Sequence, residues 1–305
     1  MSRQAALPAI AATLLTVFAG SLQAQAPAQD PVSFNFDGGF ALQSNADLDA
    51  GEGGFSVNRW FLSLGLTYAW DRRNSLGISV GGGNSTYDFD DTPEFGPDGP
   101  WEEIEDTRIS IVGRFAAGEK GSLFIIPSFR YNGEDDADTS DGRTWGVLAA
   151  YAWRFNPDLT LGPGIGVFSR LENSTRVFPF LAIDWNISEK WSLSTGRGLA
   201  ASQGPGLTLG YKFNEQWDLG LSGRYEKNEF RLREEGAVPG GIGQDRSFPL
   251  VLSGNWRPNR KVWLNLFAGI ELGGRLKLKD ENGDTLTESD YDPAAIFGGT
   301  FEFRF

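Results

Sequence analysis

The chain has no cysteine and no histidine, and its single methionine is residue 1. Without cysteine it has no disulfide to staple the fold and no thiolate nucleophile. Without histidine it has no Ser-His or Asp-His chemistry and no histidine-based metal centre. It carries neither a phosphate-binding loop nor a dinucleotide-binding glycine motif, and no cofactor is expected. Base is also scarce: 27 Lys and Arg stand against 40 Asp and Glu, a net charge of -13, which argues against a surface built to hold nucleic acid. Paired carboxylates could support glycosidic chemistry, but the loop acids are too unspecific to name a pair, and no enzyme is predicted.

Long apolar runs are missing too. Residues 1–26 read as a secretory signal peptide. Arg3 is the only charge in the stretch, Ala5–Ala19 is apolar, and Ala24-Gln25-Ala26 has the small-x-small form of a cleavage site, with Leu22-Gln23-Ala24 as an alternative. The apolar run falls short of the roughly 20 residues a helix needs to span a bilayer. No 18-residue apolar run follows it, so residues 27–305 are expected to contain no transmembrane helix.

What is abundant is glycine (40), phenylalanine (23) and tryptophan (10), set in a two-residue rhythm. Trp60–Trp70 reads WFLSLGLTYAW: Trp60, Leu62, Leu64, Leu66, Tyr68 and Trp70 fall on one parity, and Phe61, Ser63, Gly65, Thr67 and Ala69 on the other. Trp145–Trp153 and Trp217–Tyr225 repeat the pattern. Many such stretches last about 9 to 12 residues and end in aromatics, the length and girdle of a tilted membrane strand. The predicted fold is all-β: one closed antiparallel transmembrane β-barrel of fourteen strands, with twelve or sixteen as alternatives. The strand estimates are 32–42, 55–70, 75–88, 107–116, 122–132, 143–155, 159–170, 175–187, 191–198, 205–213, 217–232, 247–257, 262–278 and 293–305.

Connections alternate in length. Short turns such as Asp71–Asn74, Asn156–Asp158 and Asn259–Lys261 are flanked by aromatic or large apolar residues. Longer ones cover 43–54, 89–106, 133–142, 233–246 and 279–292. Short periplasmic turns and longer external loops place both termini in the periplasm of an outer-membrane protein. The chain ends Phe301-Glu302-Phe303-Arg304-Phe305, alternating aromatics on a terminal Phe. This is similar to the C-terminal strand signal read by the outer-membrane assembly machinery.

The segments LTLGPGIGVFSRLENSTRVFPFLAIDWNISEKWSL (159–193) and LTLGYKFNEQWDLGLSGRYEKNEFRL (207–232) carry a further likeness. The stretch from Phe124 to Leu232 resembles an uncharacterised family of Gram-negative outer-membrane proteins, defined as a domain of unknown function. The resemblance implies the barrel architecture and transfers no catalytic residues.

The parity opposite to the apolar one points into the lumen. It supplies the candidate lining: Arg59, Arg108, Arg114, Arg130, Arg154, Arg176, Lys212, Arg224, Arg257, Arg275 and Arg304, with Asp184, Asp218, Glu271 and Glu302. These could brace the interior as paired charges or line a pore that attracts polar or anionic solutes. Inward Phe124, Phe178, Phe180 and Phe267 would narrow it. Gly162, Gly164 and Gly166 would make room for large neighbours or for a ligand. The loops are acidic, with Asp88–Asp106 and Glu134–Asp141 the densest. Asp280-x-Asn282-x-Asp284 has the start of a calcium loop, but Thr285 stands where an EF-hand requires Gly, and no metal site is assigned. The expected function is passage of a small polar or anionic solute. The alternative is a non-conducting structural or adhesive barrel acting through its acidic external loops. Expected partners are outer-membrane lipid and lipopolysaccharide, the assembly machinery and a small solute.

Overall fold

The computed structural model describes residues 31–49, 53–95, 99–172, 174–195, 206–236 and 238–305. The signal peptide expected over 1–26 and the connection 196–205, with the ends of the two strands predicted beside it, lie outside the described residues.

The strands are β1 (Val32–Asp47), β2 (Gly54–Ala69), β3 (Ser75–Asp90), β4 (Glu103–Ala117), β5 (Gly121–Glu134), β6 (Arg143–Asn156), β7 (Leu159–Ser169) and β8 (Thr175–Asn186). They continue with β9 (Trp191–Thr195), β10 (Gly206–Lys212), β11 (Trp217–Arg224), β12 (Glu226–Arg231), β13 (Ile242–Asn259), β14 (Val262–Lys279), β15 (Thr285–Tyr291) and β16 (Ala294–Arg304). Each pairs antiparallel with its neighbour in the wall, and β16 returns to β1 with Asn35 opposite Arg304 and Gln43 opposite Ile296. The ring is closed by fourteen strands. Of the sixteen segments, β12 prolongs β11 along the same partner, since Gly223 faces Leu250 and Glu226 faces Ser247. Likewise β15 extends the β16 side of the β14 hairpin. Closure pairs strand edges that would otherwise face hydrocarbon, where unpaired backbone groups are prohibitive; among the described residues β8 meets β9 at Asp184–Asn186.

The outer face follows the predicted parity. Trp60, Leu64, Leu66 and Tyr68 on β2 and Trp70 just beyond it are exposed, as are Leu76, Ile78 and Val80 on β3 and Trp217, Leu219 and Leu221 on β11. In water such a surface would be an aggregation hazard; around a closed barrel it is the lipid contact. The molecule is thus an outer-membrane, multi-pass barrel. Trp70, Trp153, Trp185, Trp191, Trp217 and Trp256 all lie exposed beside the short turns, and the Trp217 and Trp256 rings stack 5.9 Å apart across paired strands. Brominated lipids with bromine near the headgroup should quench these tryptophans. Fluorescence insensitive to bromine depth would refute the outward assignment.

The turns are built locally. Asp71 accepts from the Asn74 side-chain amide (2.6 Å) and from the backbone N–H groups of Arg73 (2.7 Å) and Asn74 (2.9 Å). The Asn74 contact chiefly, then the backbone donors, hold its carboxyl below the ordinary range. Asn74 in turn accepts from the Ala116 N–H at 2.7 Å, tying this turn to the next hairpin.

The external loops are shorter than expected because the strands run on beyond the lipid. β1 reaches Asp47, β3 reaches Asp90, and β4 begins at Glu103. Once the wall is above hydrocarbon its outer face need not be apolar, so the alternation fades while the ladder continues. The segment 233–246, expected as an external loop, ends in strand: β13 starts at Ile242.

Candidate functional site

From Glu226 to Ser247, β12 and the first part of β13 form a hairpin inside the barrel. A wall strand alternates between lipid and lumen; here both faces are enclosed. Ile242, Gly243, Gln244, Asp245 and Ser247 are all buried, and Phe248 is the first residue to face lipid again. One face of β12 turns toward β5: Asn228 Oδ1 accepts from Arg130 (3.0 Å) and from Asn132 (2.8 Å), and along the strand edge Arg231 is paired with Gly133 in a parallel bridge. Its other face carries Glu229, which binds Arg170 (2.8 Å), Lys227 (2.9 Å) and Lys279 (2.8 Å). The Arg231 guanidinium donates to the carbonyls of Asp141 (3.2 Å), Gly240 (2.6 Å) and Leu171 (2.9 Å), pinning the hairpin tip to two external loops.

The lumen is layered. At the extracellular end an apolar cap joins Phe55 and Val57 of β2, Tyr87 of β3, Ile104 of β4, Phe230 of β12, Leu276 and Leu278 of β14, and Tyr291 of β15. Trp101, brought in by the β3–β4 loop, packs edge-on against Phe230 at 5.0 Å and Tyr87 at 5.8 Å. Beneath the cap is a charged layer. Asp245 accepts from Arg59 (3.0 Å), Tyr87 (2.9 Å) and Tyr291 (3.0 Å), and Arg59 also lies 3.6 Å from Glu271. Below it Ala41, Val251, Phe267 and Ile296 form a small apolar layer. The periplasmic end then holds a cavity of about 390 Å³. Its wall is mostly polar, with hydroxyl and amide groups such as Thr160, Ser192, Ser194, Thr208, Ser253 and Asn255 set among charged side chains of both signs.

The sequence-predicted lining divides among these layers. Arg154, Asp184, Lys212, Asp218 and Arg257 line the periplasmic cavity, where Asp218 pairs with Arg257 and accepts from Asn255 at 2.7 Å. Glu302 and Arg304 pair with each other at the rim. Arg59 and Glu271 belong to the charged layer. Arg108 lies 3.9 Å from Asp106, which also pairs with Arg130, and Arg224 lies 4.0 Å from Glu226. Arg114 sits over the Phe124 ring at 5.8 Å. Arg176 faces a smaller cavity on the β7–β8 side.

Arg275 requires a correction. The ladder slips between Arg246 and Phe248, which face Arg275 and Leu272, and Gly273 in the extra stretch takes a φ of +59°. This bulge inverts the parity of β14 above it. Leu276 and Leu278 turn inward, while Arg275 and Lys277 turn outward to pair with Asp290 and Glu288 on β15. Arg275 is part of the outer wall above the membrane.

The inward glycines make room for aromatic rings. A Cβ on Gly164 would meet the Phe180 ring at 2.3 Å, and one on Gly166 would meet the Phe178 ring at 2.5 Å. Rings on β8 therefore lie over the bare backbone of β7 and seal the wall. The Asp280–Asp284 series builds its own turn: Asp280 accepts from the backbone N–H groups of Asn282 (3.0 Å) and Asp284 (2.8 Å).

No family model matches the chain, and no curated protein matches it. Among solved structures, an outer-membrane channel from Pseudomonas putida F1 superposes with a TM-score of 0.51 at 10% identity, over 93% of this chain and 99% of its own. The Pseudomonas putida toluene transporter TodX gives 0.44 at 10% identity, over 91% and 90%. A FadL homologue from Pseudomonas aeruginosa gives 0.43 at 11%, over 89% of each chain. The chain is similar in fold to the first of these and is itself a fourteen-stranded outer-membrane β-barrel.

Proposed function

We propose that the protein is a narrow outer-membrane channel for small polar or anionic solutes. The observation that carries this reading is the polar cavity of about 390 Å³ in the periplasmic half of the lumen. A barrel needed only for its outer surface has no use for an unfilled polar interior, since buried polar groups cost free energy unless they are paired or wet. The route toward the outside follows β7 and β8. Here the periplasmic cavity at Thr160 and Asp184 and the smaller one at Phe168 and Phe178 share the same two strands. Phe180 and Ala182 of β8 stand between them. Passage between the two cavities would require the Phe180 ring to move aside.

A second reading has its own support. The interior hairpin and the apolar cap fill the extracellular half, as expected of a non-conducting barrel that acts through its acidic external loops and their contacts with lipopolysaccharide. Single-channel recording in planar bilayers separates the two. Stable small openings support the channel; a persistently closed trace from correctly folded protein overturns it in favour of the structural barrel.

A further inference from the structure

Between the interior hairpin and the β6–β8 wall, near the extracellular mouth, lies the second cavity, of about 60 Å³. At roughly 10–15 Å³ for each water-sized position, it admits about four to six non-hydrogen atoms. Four cations border it: Arg130, Arg170, Arg176 and Lys227. Three have partners. Arg130 pairs with Asp106, Arg170 with Glu172 and Glu229, and Lys227 with Glu229. Glu229, the one acid in the lining, is neutralised by three cations.

Arg176 differs. Among the described residues no carboxylate lies within ion-pair distance of it. Its guanidinium carbon sits 5.7 Å from the centroid of Phe178 and 5.8 Å from that of Tyr225. Ring faces attract a cation but offer no acceptor to its N–H fork, a shape suited to a bidentate oxyanion. Phe168 and Leu171 complete an apolar side to the same cavity. The excess of cations favours a negative ligand, and the low-dielectric wall strengthens that field.

The geometry points to a binding site for a small organic monocarboxylate, its carboxylate on Arg176 and its short carbon chain against Phe168, Phe178 and Tyr225. The volume sets the ligand near the size of propionate. The apolar side separates it from inorganic anions. The inference deepens the channel reading and rests on it for its physiological role: the site would capture an anionic solute at the outer mouth.

Calorimetric titration of the purified protein in detergent micelles with propionate tests the site directly, with chloride and inorganic phosphate as competitors. Saturable binding is expected, weakened at least tenfold in Arg176→Gln and unchanged in Arg143→Gln, whose arginine is exposed at the start of β6. Heat-modifiable migration on a gel checks that each variant is folded. If Arg176→Gln fails that check, Tyr225→Leu keeps the bulk of the wall, removes one ring from the cation and should weaken binding as well. Equal binding by wild type and Arg176→Gln, or no binding at all, overturns the site. Phosphate displacing propionate at equal concentration overturns the carboxylate assignment. A silent bilayer with intact propionate binding overturns the conduction reading alone, and steady openings without binding overturn the site alone.

Discussion

A protein in which residues 226–247 are replaced by an Asn-Gly turn between Tyr225 and Phe248 should conduct several-fold more current per molecule than the wild type. Tyr225 and Phe248 are opposite each other in the continuous ladder, since Gly223 faces Leu250 and Glu226 faces Ser247. A two-residue turn therefore closes the shortened hairpin in register. The deletion removes Asp245 and Glu229, the centres of both charged clusters, and takes Phe230 from the apolar cap. The effect should be large because the intact hairpin does not leave on its own. Breaking a buried ion pair costs about 3–5 kcal/mol, and exposing a buried Phe costs a similar amount, about 3–5 kcal/mol by truncation. Two clusters and one ring together exceed about 9 kcal/mol, and each 1.4 kcal/mol is tenfold in population. Spontaneous withdrawal would be rarer than about one molecule in a million. Single-channel conductance of the folded variant is the measurement. A value equal to the wild type would mean that the hairpin does not limit the pore.

Truncation before Ala294 should abolish the folded protein in the outer membrane. β16 is the closing strand, paired with β1 from Asn35–Arg304 to Gln43–Ile296 and with β14 from Val262–Phe303 to Glu271–Ala294. Its outward face carries an aromatic seam: the Phe36 and Phe301 rings lie 5.3 Å apart, and Phe301 and Phe303 5.4 Å apart. Without it, two long edges present unpaired backbone groups to hydrocarbon at several kcal/mol each. That penalty exceeds the roughly 5–15 kcal/mol that separates folded from unfolded states in ordinary domains. Membrane fractionation and heat-modifiable migration provide the readout. Normal recovery of the truncated chain in the outer membrane would show that the remaining strands can close without it.

The wall was legible in the sequence because lipid imposes a strict rule on it. Trp60 to Trp70 alternates with Phe61 as its one large inward apolar residue, and β2 begins and ends within a residue of the predicted 55–70; the strand predicted over 217–232 leaves the wall after Arg224. The interior was less legible, because no such rule applies there. The predicted strand 217–232 runs straight through Glu226-Lys227-Asn228-Glu229-Phe230-Arg231, although charge at both parities there excludes a lipid-facing strand. The missed possibility was a strand with neither face in lipid. Its signal was present in Glu226, Lys227, Asn228, Glu229 and Arg231, five charged or polar residues that precede any glycine or proline. Glu229, Asp245, Tyr87 and Tyr291 were missed as partners because they meet across the lumen, at sequence separations that strand parity does not constrain. Arg275 failed for a local reason: one bulge at Gly273 shifts everything above it by a residue.

The interior hairpin also makes the barrel a natural chassis for grafting. The chain leaves the wall after Tyr225 and rejoins it at Phe248, and the paired residues Glu226 and Ser247 bring the two ends to adjacent-strand spacing, about 4.7–4.9 Å. A peptide whose own ends meet at that distance could replace the hairpin while leaving the lipid-facing shell untouched. Insertion and recognition would then be separable properties, one written on the outside of the cylinder and the other on an exchangeable insert within it. Because the natural chain has no cysteine, a single thiol carried by such an insert would be a unique attachment point for a sensing group inside the pore.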